Sequence, residues 1–598
     1  MNTLNKILAL IIIVFFSSCS EFLDTYPNGD ISGEELWEYQ NMTQGLVGQC
    51  YDYMSQNYNN DEGAFLDCAT DDAVMTSTGG ALRRLAVGTL STDQDPFHTY
   101  WERDYQAIHS VNMFLEDNKG FKSRLLIDEH LDSLVRHRLQ GEAFALRAWF
   151  EWDLLQKFGG KGKQSGTMLG FPIVLDPLDL SEGINLERNT YDDCVKQILD
   201  DCDSAYKYLP IAHRDFLVTD PVDLTYAGAR CWGRMDGITT RAIKALVYMT
   251  WASPRFNPQA NKARWDSAAK YAKQVIDFKL TVDNVPSGFV AKTGVTWTNP
   301  NFPGIVFASR YLNANDAMER LFYPGGFQGN GRMGATQELV NAFPTATGYP
   351  INDPANRGGY NAQDPYANRD PRFYSIIFHN NAQAVKLGTS NVMYTFENFE
   401  GGKDAPGMNS SNSRTNYHIK KFVFMGLNWS ETSVNRQPHS KFFIRWAHMC
   451  LTFAEAANNV AGPTTPLYGL TAKDAIKYLR SRNTYDNKTG LATDPYLDEI
   501  AAAGQTQFAE FIKNERRIET CFEGLRFFDL RRWTTDLTDL NKAVHGASIT
   551  KNPDDSFTYN LNVEVEPRIY KSAYLPIPYS EILKMSNLEQ NEGWDGWN

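Results

Sequence analysis

Along much of the chain apolar residues return every three or four positions, the spacing that lays one buried stripe along an α-helix. Between 35 and 58 the stripe is Leu36, Tyr39, Met42, Leu46 and Val47, and between 99 and 115 it is Trp101, Tyr105, Ile108, Val111 and Leu115. The longest pattern, 128–158, puts Leu131, Leu134, Leu139, Ala143, Leu146, Phe150, Leu154 and Leu155 on one side. It stops at Gly159 and Gly160, residues that enter left-handed conformations cheaply. The same periodicity predicts helices over 190–209, 239–252, 262–278, 444–460, 471–481 and 505–522, the last with Gly524 just beyond. Successive helices joined by short connections predict a solenoid-like scaffold, each pair burying its face by stacking on the next. No clean repeat of about 34 residues runs through it.

The stretch 281–441 reads differently. Gly, Pro, Asn and Ser are dense there, helical periodicity fades, and aromatics recur at Trp297, Tyr311, Tyr323, Tyr349, Tyr366, Tyr394 and Trp429 among others. Loops of this length on a rigid scaffold are more often functional than decorative. The expected organisation is a leader at 1–18, a helical part at 19–280, and a loop-rich region with a C-terminal part at 281–598, packed as one large domain.

Lys6 is the only charge before an apolar run from 7 to 16, and Ser17 and Ser18 precede Cys19, which is the pattern of a secretory leader. The run is about ten residues, against the roughly 20 a spanning helix needs, so it directs export without crossing a bilayer permanently. Phe16-Ser17-Ser18-Cys19 resembles a bacterial lipobox with Phe in place of the usual Leu, making Cys19 the expected lipidation site. The other cysteines, Cys50, Cys68, Cys194, Cys202, Cys231, Cys450 and Cys521, are odd in number and scattered, so buried thiols are expected and a disulfide framework is not. Losing Lys6 takes the formal charge from -13 to -14. An acidic chain with no basic run makes nucleic acid an unfavoured partner.

Catalytic motifs are thin. Gly329 to Gly334 matches GxGxxG in letters, but Pro-Gly-Gly precedes it instead of a buried strand, and neither HExxH nor GxSxG occurs. His130 and His137 lie two turns apart on one helix, a spacing more typical of core or exposed positions than of paired metal ligands. Two acids across a sugar would suffice for a glycosidase. The adjacent pairs Asp71-Asp72 and Asp192-Asp193 are the obvious acids, but neighbours in sequence usually point apart, and Asp192-Asp193 after Thr190 reads as a helix first turn. The charged block Asn514 to Trp533 reads as structural, one face packing through Phe508, Phe511, Ile512 and Ile518 while Glu and Arg three or four apart pair along the other. No cofactor is expected. Asp- and Asn-rich loops could hold a structural calcium ion, although no EF-hand pattern is present, and the sequence assigns no metal.

Several segments taken together resemble the SusD/RagB family of Bacteroidetes lipoproteins. They are Cys19-Ser20-Glu21-Phe22-Leu23-Asp24; Trp101 with Tyr105, Ile108 and Asn112; Gly141-Glu142-Ala143-Phe144-Ala145-Leu146-Arg147-Ala148-Trp149-Phe150 running to Gly160; and Thr240 to Leu246. Later come Asn368-Arg369-Asp370-Pro371-Arg372, the segment 445–456, the block 515–533, Ala573-Tyr574-Leu575-Pro576-Ile577-Pro578, and Asn591-Glu592-Gly593-Trp594. Their order covers essentially the whole mature chain, with one departure, an insert at 161–170 before Phe171-Pro172. The resemblance implies a mainly α, SusD-like fold: a tetratricopeptide-like helix-pair scaffold with a long loop-rich elaboration. It also implies lipid anchoring at the outer membrane, exposure at the cell surface, and partnership with a SusC-like TonB-dependent transporter, without catalysis. Relatives bind glycans or, in some cases, peptides, and their motifs mark the scaffold more than the ligand.

Sugars present C–H faces to aromatic rings and hydroxyls to polar side chains. On that ground the expected ligand contacts fall in two regions. The loop before the Trp101 helix supplies Asp71, Asp72, Arg83, Arg84, Phe97 and His98; the loop-rich region supplies Trp297, Tyr311, Tyr323, Tyr349 and Trp429. Oligosaccharide capture is the leading reading, peptide capture the alternative, and a glycosidase the remaining one.

Overall fold

The computed structural model describes residues 37, 40–55, 60–61, 63–178, 185–282, 304–309, 314–385, 393–425, 436–481 and 491–597. The expected leader, Cys19, Trp297, Tyr311 and Trp429 lie outside the described residues. Among the described residues helix outweighs strand, 48% to 12%, as the periodicity predicts. The longer helices are α1 (Gln40–Ser55), α2 (His98–Leu115), α3 (Glu129–Phe158), α4 (Tyr191–Tyr208), α5 (Gly237–Ala252), α6 (Lys262–Thr281), α7 (Trp446–Ala461), α8 (Ala472–Arg480), α9 (Pro495–Ala502), α10 (Gln505–Thr520) and α11 (Leu525–Trp533).

Side-chain caps fix several starts. Asp128 accepts the Leu131 amide, Thr190 that of Asp193, Asp236 that of Thr239 and Thr471 that of Asp474, each satisfying a donor the helix leaves open. Asp192 and Asp193 stand in the first turn of α4, where the helix dipole favours acids. Each helix packs on the next, α1 on α2 through α5 on α6; α6 then packs on α7, and α7 on α8 and α10. Helix-pair stacking therefore continues in space across the long loop-rich interval that separates α6 from α7 in sequence.

The end of α3 differs from the sequence expectation in its cause. Gly159 is extended, with φ -62° and ψ 128°, not left-handed. A side chain there would meet the Leu155 carbonyl and the Tyr191 ring, and one at Gly160 would meet Tyr574 and Asn591, so close approach is what requires glycine.

Strands are short except for a hairpin, β5 (Val544–Lys551) with β6 (Phe557–Glu566). Earlier come β1 (Ala73–Met75), β2 (Ile305–Ala308), β3 (Met333–Ala335) and β4 (Phe442–Arg445), with β1 antiparallel to β3 and β2 to β4. These pairings stitch the loop-rich region to the helical scaffold. The last segment does the same at the other end of the chain. Asn591 Nδ2 donates to the Phe158 carbonyl at 2.9 Å, and Arg188 Nη1 donates to Asn591 Oδ1 at 2.9 Å.

The block 515–533 is structural, but its pairing is not the local, surface kind expected. Glu515 pairs with Arg372 and Arg480, Glu519 with Arg372 and Arg445, Arg516 with Asp529, and Arg532 with Glu455 and Asp529. All of these side chains are buried. The elbow between α10 and α11, where Phe522 takes φ 64° and Gly524 φ 75°, is held by Asp67, whose carboxylate accepts the Phe522 and Gly524 amides at 2.9 and 2.8 Å. The seven described cysteines are buried thiols, none of them in a disulfide.

Candidate ligand-binding face

Antiparallel pairing of β1 with β3 brings the loop after β1 against the segment before β3. The Thr76 amide donates to the Arg332 carbonyl at 3.0 Å, and its hydroxyl donates to the Gly331 carbonyl. Beyond this seam Ser77, Thr78 and Gly79 are exposed. The short helix Ala81–Ala86 turns two arginines back over that loop. Arg83 Nη1 donates to the Thr78 carbonyl at 3.0 Å, and Arg84 Nε to the Gly79 carbonyl at 3.1 Å.

Behind them sits one buried carboxylate. Glu566, at the end of β6, accepts from Arg83 Nε at 2.9 Å, Arg414 Nη1 at 2.6 Å and Arg568 Nη1 at 2.6 Å. Burial works against its charge, but Arg568 and Arg414 outweigh that and hold its pKa below the ordinary value. Arg568 is buried, whereas the Arg83 and Arg414 side chains are about a quarter exposed (24% and 23%), and these two partly solvated guanidiniums reach the Thr78 and Met75 carbonyls on either side of Ser77. Such a surface offers donors from Arg and hydroxyls from Ser and Thr, the groups a hydroxyl-rich ligand pairs with.

Asp71 and Asp72 are already engaged. Asp71 accepts from Arg526 Nε at 3.0 Å and Nη2 at 2.9 Å, and Asp72 from Arg517 Nε at 2.6 Å. Burial raises the Asp71 carboxyl, and the charges of Arg517 and Arg526 more than reverse this, holding it far below the usual range. Asp72, fully enclosed, is held above its usual value by burial and by Asp71, against the two arginines. The two acids dock the loop onto α10 and α11; they are not a solvent-facing pair.

The described aromatic candidates lie deeper than their loop sequence suggests. Phe97 is 1% exposed and packs against Tyr100; Tyr323 is 2% exposed, between Phe327 and Phe378. The Tyr349 ring carries the Arg357 guanidinium at 4.4 Å and faces Tyr496, while its hydroxyl donates to Glu499 at 2.5 Å. As sugar platforms these three are corrected: each ring is spent on packing inside the protein. Trp101 is core, as its helical stripe predicts. His98 is exposed at the start of α2, its Nδ1 2.8 Å from the Asp95 carbonyl. Among the candidates, then, the structure brings Arg83 and Arg84 together at the open loop and turns Asp71 and Asp72 to a docking role. Arg332, Arg414 and Glu566 were not singled out from sequence; the only sequence signal for Glu566 was the period-two alternation leading up to it.

A family model described as the SusD family matches residues 295–594, half the chain. The chain belongs to the SusD family. A second model, described as starch-binding associating with outer membrane, matches residues 21–222 of this SusD-family protein. A SusD-like protein of Formosa agariphila is 20% identical over 544 residues, covering 90% of this chain and 91% of the relative. Among solved structures, a SusD-like protein from Bacteroides fragilis superposes with TM-score 0.70 at 21% identity, covering 94% of this chain and 98% of the other. A SusD-like carbohydrate-binding protein from the same species gives 0.66 at 18%, covering 92% and 99%. A laminarin-binding SusD-like protein gives 0.55 at 18%, also covering 92% and 99%. No described helix is long and apolar enough to cross a membrane.

Proposed function

We propose that this SusD-family protein is a lipid-anchored receptor at the cell surface that captures an oligosaccharide and delivers it to a SusC-like TonB-dependent transporter. The observation that carries the reading is the family match in both halves of the chain, one half to a model described by starch binding at the outer membrane. The carbohydrate-binding and laminarin-binding names of two structural relatives favour a glycan over a peptide. The receptor role, without turnover, is supported by the state of the adjacent acids. Asp71 and Asp72 are neutralised by Arg517 and Arg526, while Asp192 pairs with Arg264 and accepts the Trp251 indole N–H. Neither pair is poised as a glycosidase acid and base, which require two carboxyls facing one sugar. Cys19 supplies the anchor in this reading, and Trp297, Tyr311 and Trp429 are the stacking residues.

The test is calorimetric titration of the mature protein, Cys19 replaced, against plant, microbial and host oligosaccharides and against peptide digests. Saturable glycan binding, weakened by Arg83→Ala and by Trp297→Ala or Trp429→Ala, is expected. Binding to peptides alone, or release of shortened products from an oligosaccharide, would overturn the reading.

A further inference from the structure

His130 stands in the first turn of α3, far from the ligand-binding face in sequence. Opposite it, the segment between α4 and α5 carries a one-turn 3-10 helix, Pro221–Thr225, whose N-cap Asp220 accepts the Val222 amide at 2.9 Å. Asp220 thus caps the same turn that carries Asp223. His130 Nε2 lies 2.6 Å from Asp223 Oδ1, across 93 positions of sequence. One ligand atom from each of His130, Asp220 and Asp223 lies within 4.8 Å of the others.

The turn that holds the two aspartates is itself anchored. Arg138, two turns along α3, donates through Nη1 to the Tyr226 carbonyl at 2.5 Å and to Cys231 Sγ at 2.7 Å. Asp215 Oδ1 accepts the Ala229 amide at 2.7 Å.

We infer that His130, Asp220 and Asp223 form a binding site for a divalent transition-metal ion of the zinc class. Imidazole with carboxylates suits Zn²⁺, Co²⁺ or Ni²⁺, whereas Ca²⁺ takes six to eight oxygen ligands. Ligands about 2.1 Å from a tetrahedral zinc stand about 3.4 Å apart. The His130–Asp223 pair, at 2.6 Å, therefore opens by about 0.8 Å to admit the ion. His130 is 63% exposed in its side chain, so that rotation moves it mainly through solvent. The metal takes the place of the proton shared between the imidazole and Asp223, and water fills the remaining positions. Its effect is to rivet the segment between α4 and α5 to the start of α3, stabilising the folded chain by linkage.

The test is titration of the intact chain with ZnCl₂ by calorimetry, with X-ray absorption on the loaded protein. One ion per chain in a nitrogen and oxygen shell is expected, together with a higher melting temperature. His130→Ala and Asp223→Asn should weaken binding at least tenfold, and His137→Ala, on the same helix, should leave it unchanged. Circular dichroism of each variant confirms that it has folded. Absence of saturable binding at millimolar zinc would overturn the site, as would binding unaltered in both variants or a sulfur shell that assigns the ion to cysteine. Tighter binding of CaCl₂ than of ZnCl₂ would overturn the metal class.

Discussion

Asp529→Ala tests whether the buried charge network holds α10 and α11 together. Asp529 is 3% exposed and accepts from Arg516 Nε at 2.6 Å and Arg532 Nε at 2.8 Å. Arg532 keeps a second carboxylate, Glu455, at 2.6 and 2.7 Å, so its loss is partial. Arg516 is 2% exposed, its Nη1 already has no hydrogen-bond partner, and Asp529 is the carboxylate it pairs with. Removing Asp529 therefore leaves a guanidinium in the core without its counter-charge, a change that costs about 3–5 kcal/mol. At about 2.1 cal/mol/K per residue, a chain of 598 residues unfolding as one unit loses about 0.8 °C of melting temperature per kcal/mol. The expected drop is about 3 °C by scanning calorimetry, larger where α10 and α11 melt ahead of the rest. Adding Arg516→Met removes the stranded charge, so the double variant should recover part of the loss. A single variant within half a degree of the parent, or a double variant showing simple additivity, would refute the account.

Two further outcomes rest on the structure and a third on the sequence. His418 is fully enclosed, and burial pushes its pKa down to about 4. The unfolded chain takes up that proton near pH 6.5 and the folded chain only near 4, so stability is lost as pH falls through this window, by about 3 kcal/mol from this residue. His418→Phe should lower the difference in melting temperature between pH 7 and pH 4.5; an unchanged difference would assign the acid sensitivity elsewhere. Gly331 has φ 46°, and a side chain there would run into the Ser411 carbonyl, so Gly331→Ala should cost more than about 1 kcal/mol and weaken glycan capture by displacing the Thr76 seam. Parent-like binding in that variant would separate the seam from the ligand-binding face. Cys19→Ala should move the protein from the membrane fraction to the soluble fraction, and retention in the membrane would remove the lipid as its anchor.

Helices with a single apolar stripe were legible because burial and periodicity say the same thing: α2, α3, α4 and α6 begin within about a residue of expectation and end within about three. α11 was not, because Leu525–Trp533 buries Asp529, Arg531 and Arg532 along with its apolar residues and so carries no clean stripe. The hairpin was readable in principle, since Phe557, Tyr559, Leu561, Val563 and Val565 alternate with polar residues, but ten strand residues stand out little in a helical chain. The site was harder. Arg83 finds its carboxylate 483 positions away, and nothing local marks Glu566 as its partner. Aromatics in loops have no period to reveal burial, which is why Phe97, Tyr323 and Tyr349 looked like ligand contacts and proved to be packing residues.

The chain's last segment supplies partners to the first half: Asn591 fastens the end of α3, and Arg568 donates to the Thr70 and Ala73 carbonyls beside β1. During synthesis these partners emerge well after the residues they hold. The early helices can form and stack as they appear, but the layer around residues 67–75 and 158–162 stays open until partners more than 430 positions further along have emerged. Such long-range closure gives a high contact order and a slow final step. A nascent chain of this design lingers incompletely folded, and the loop after β1 takes its final form only when folding finishes.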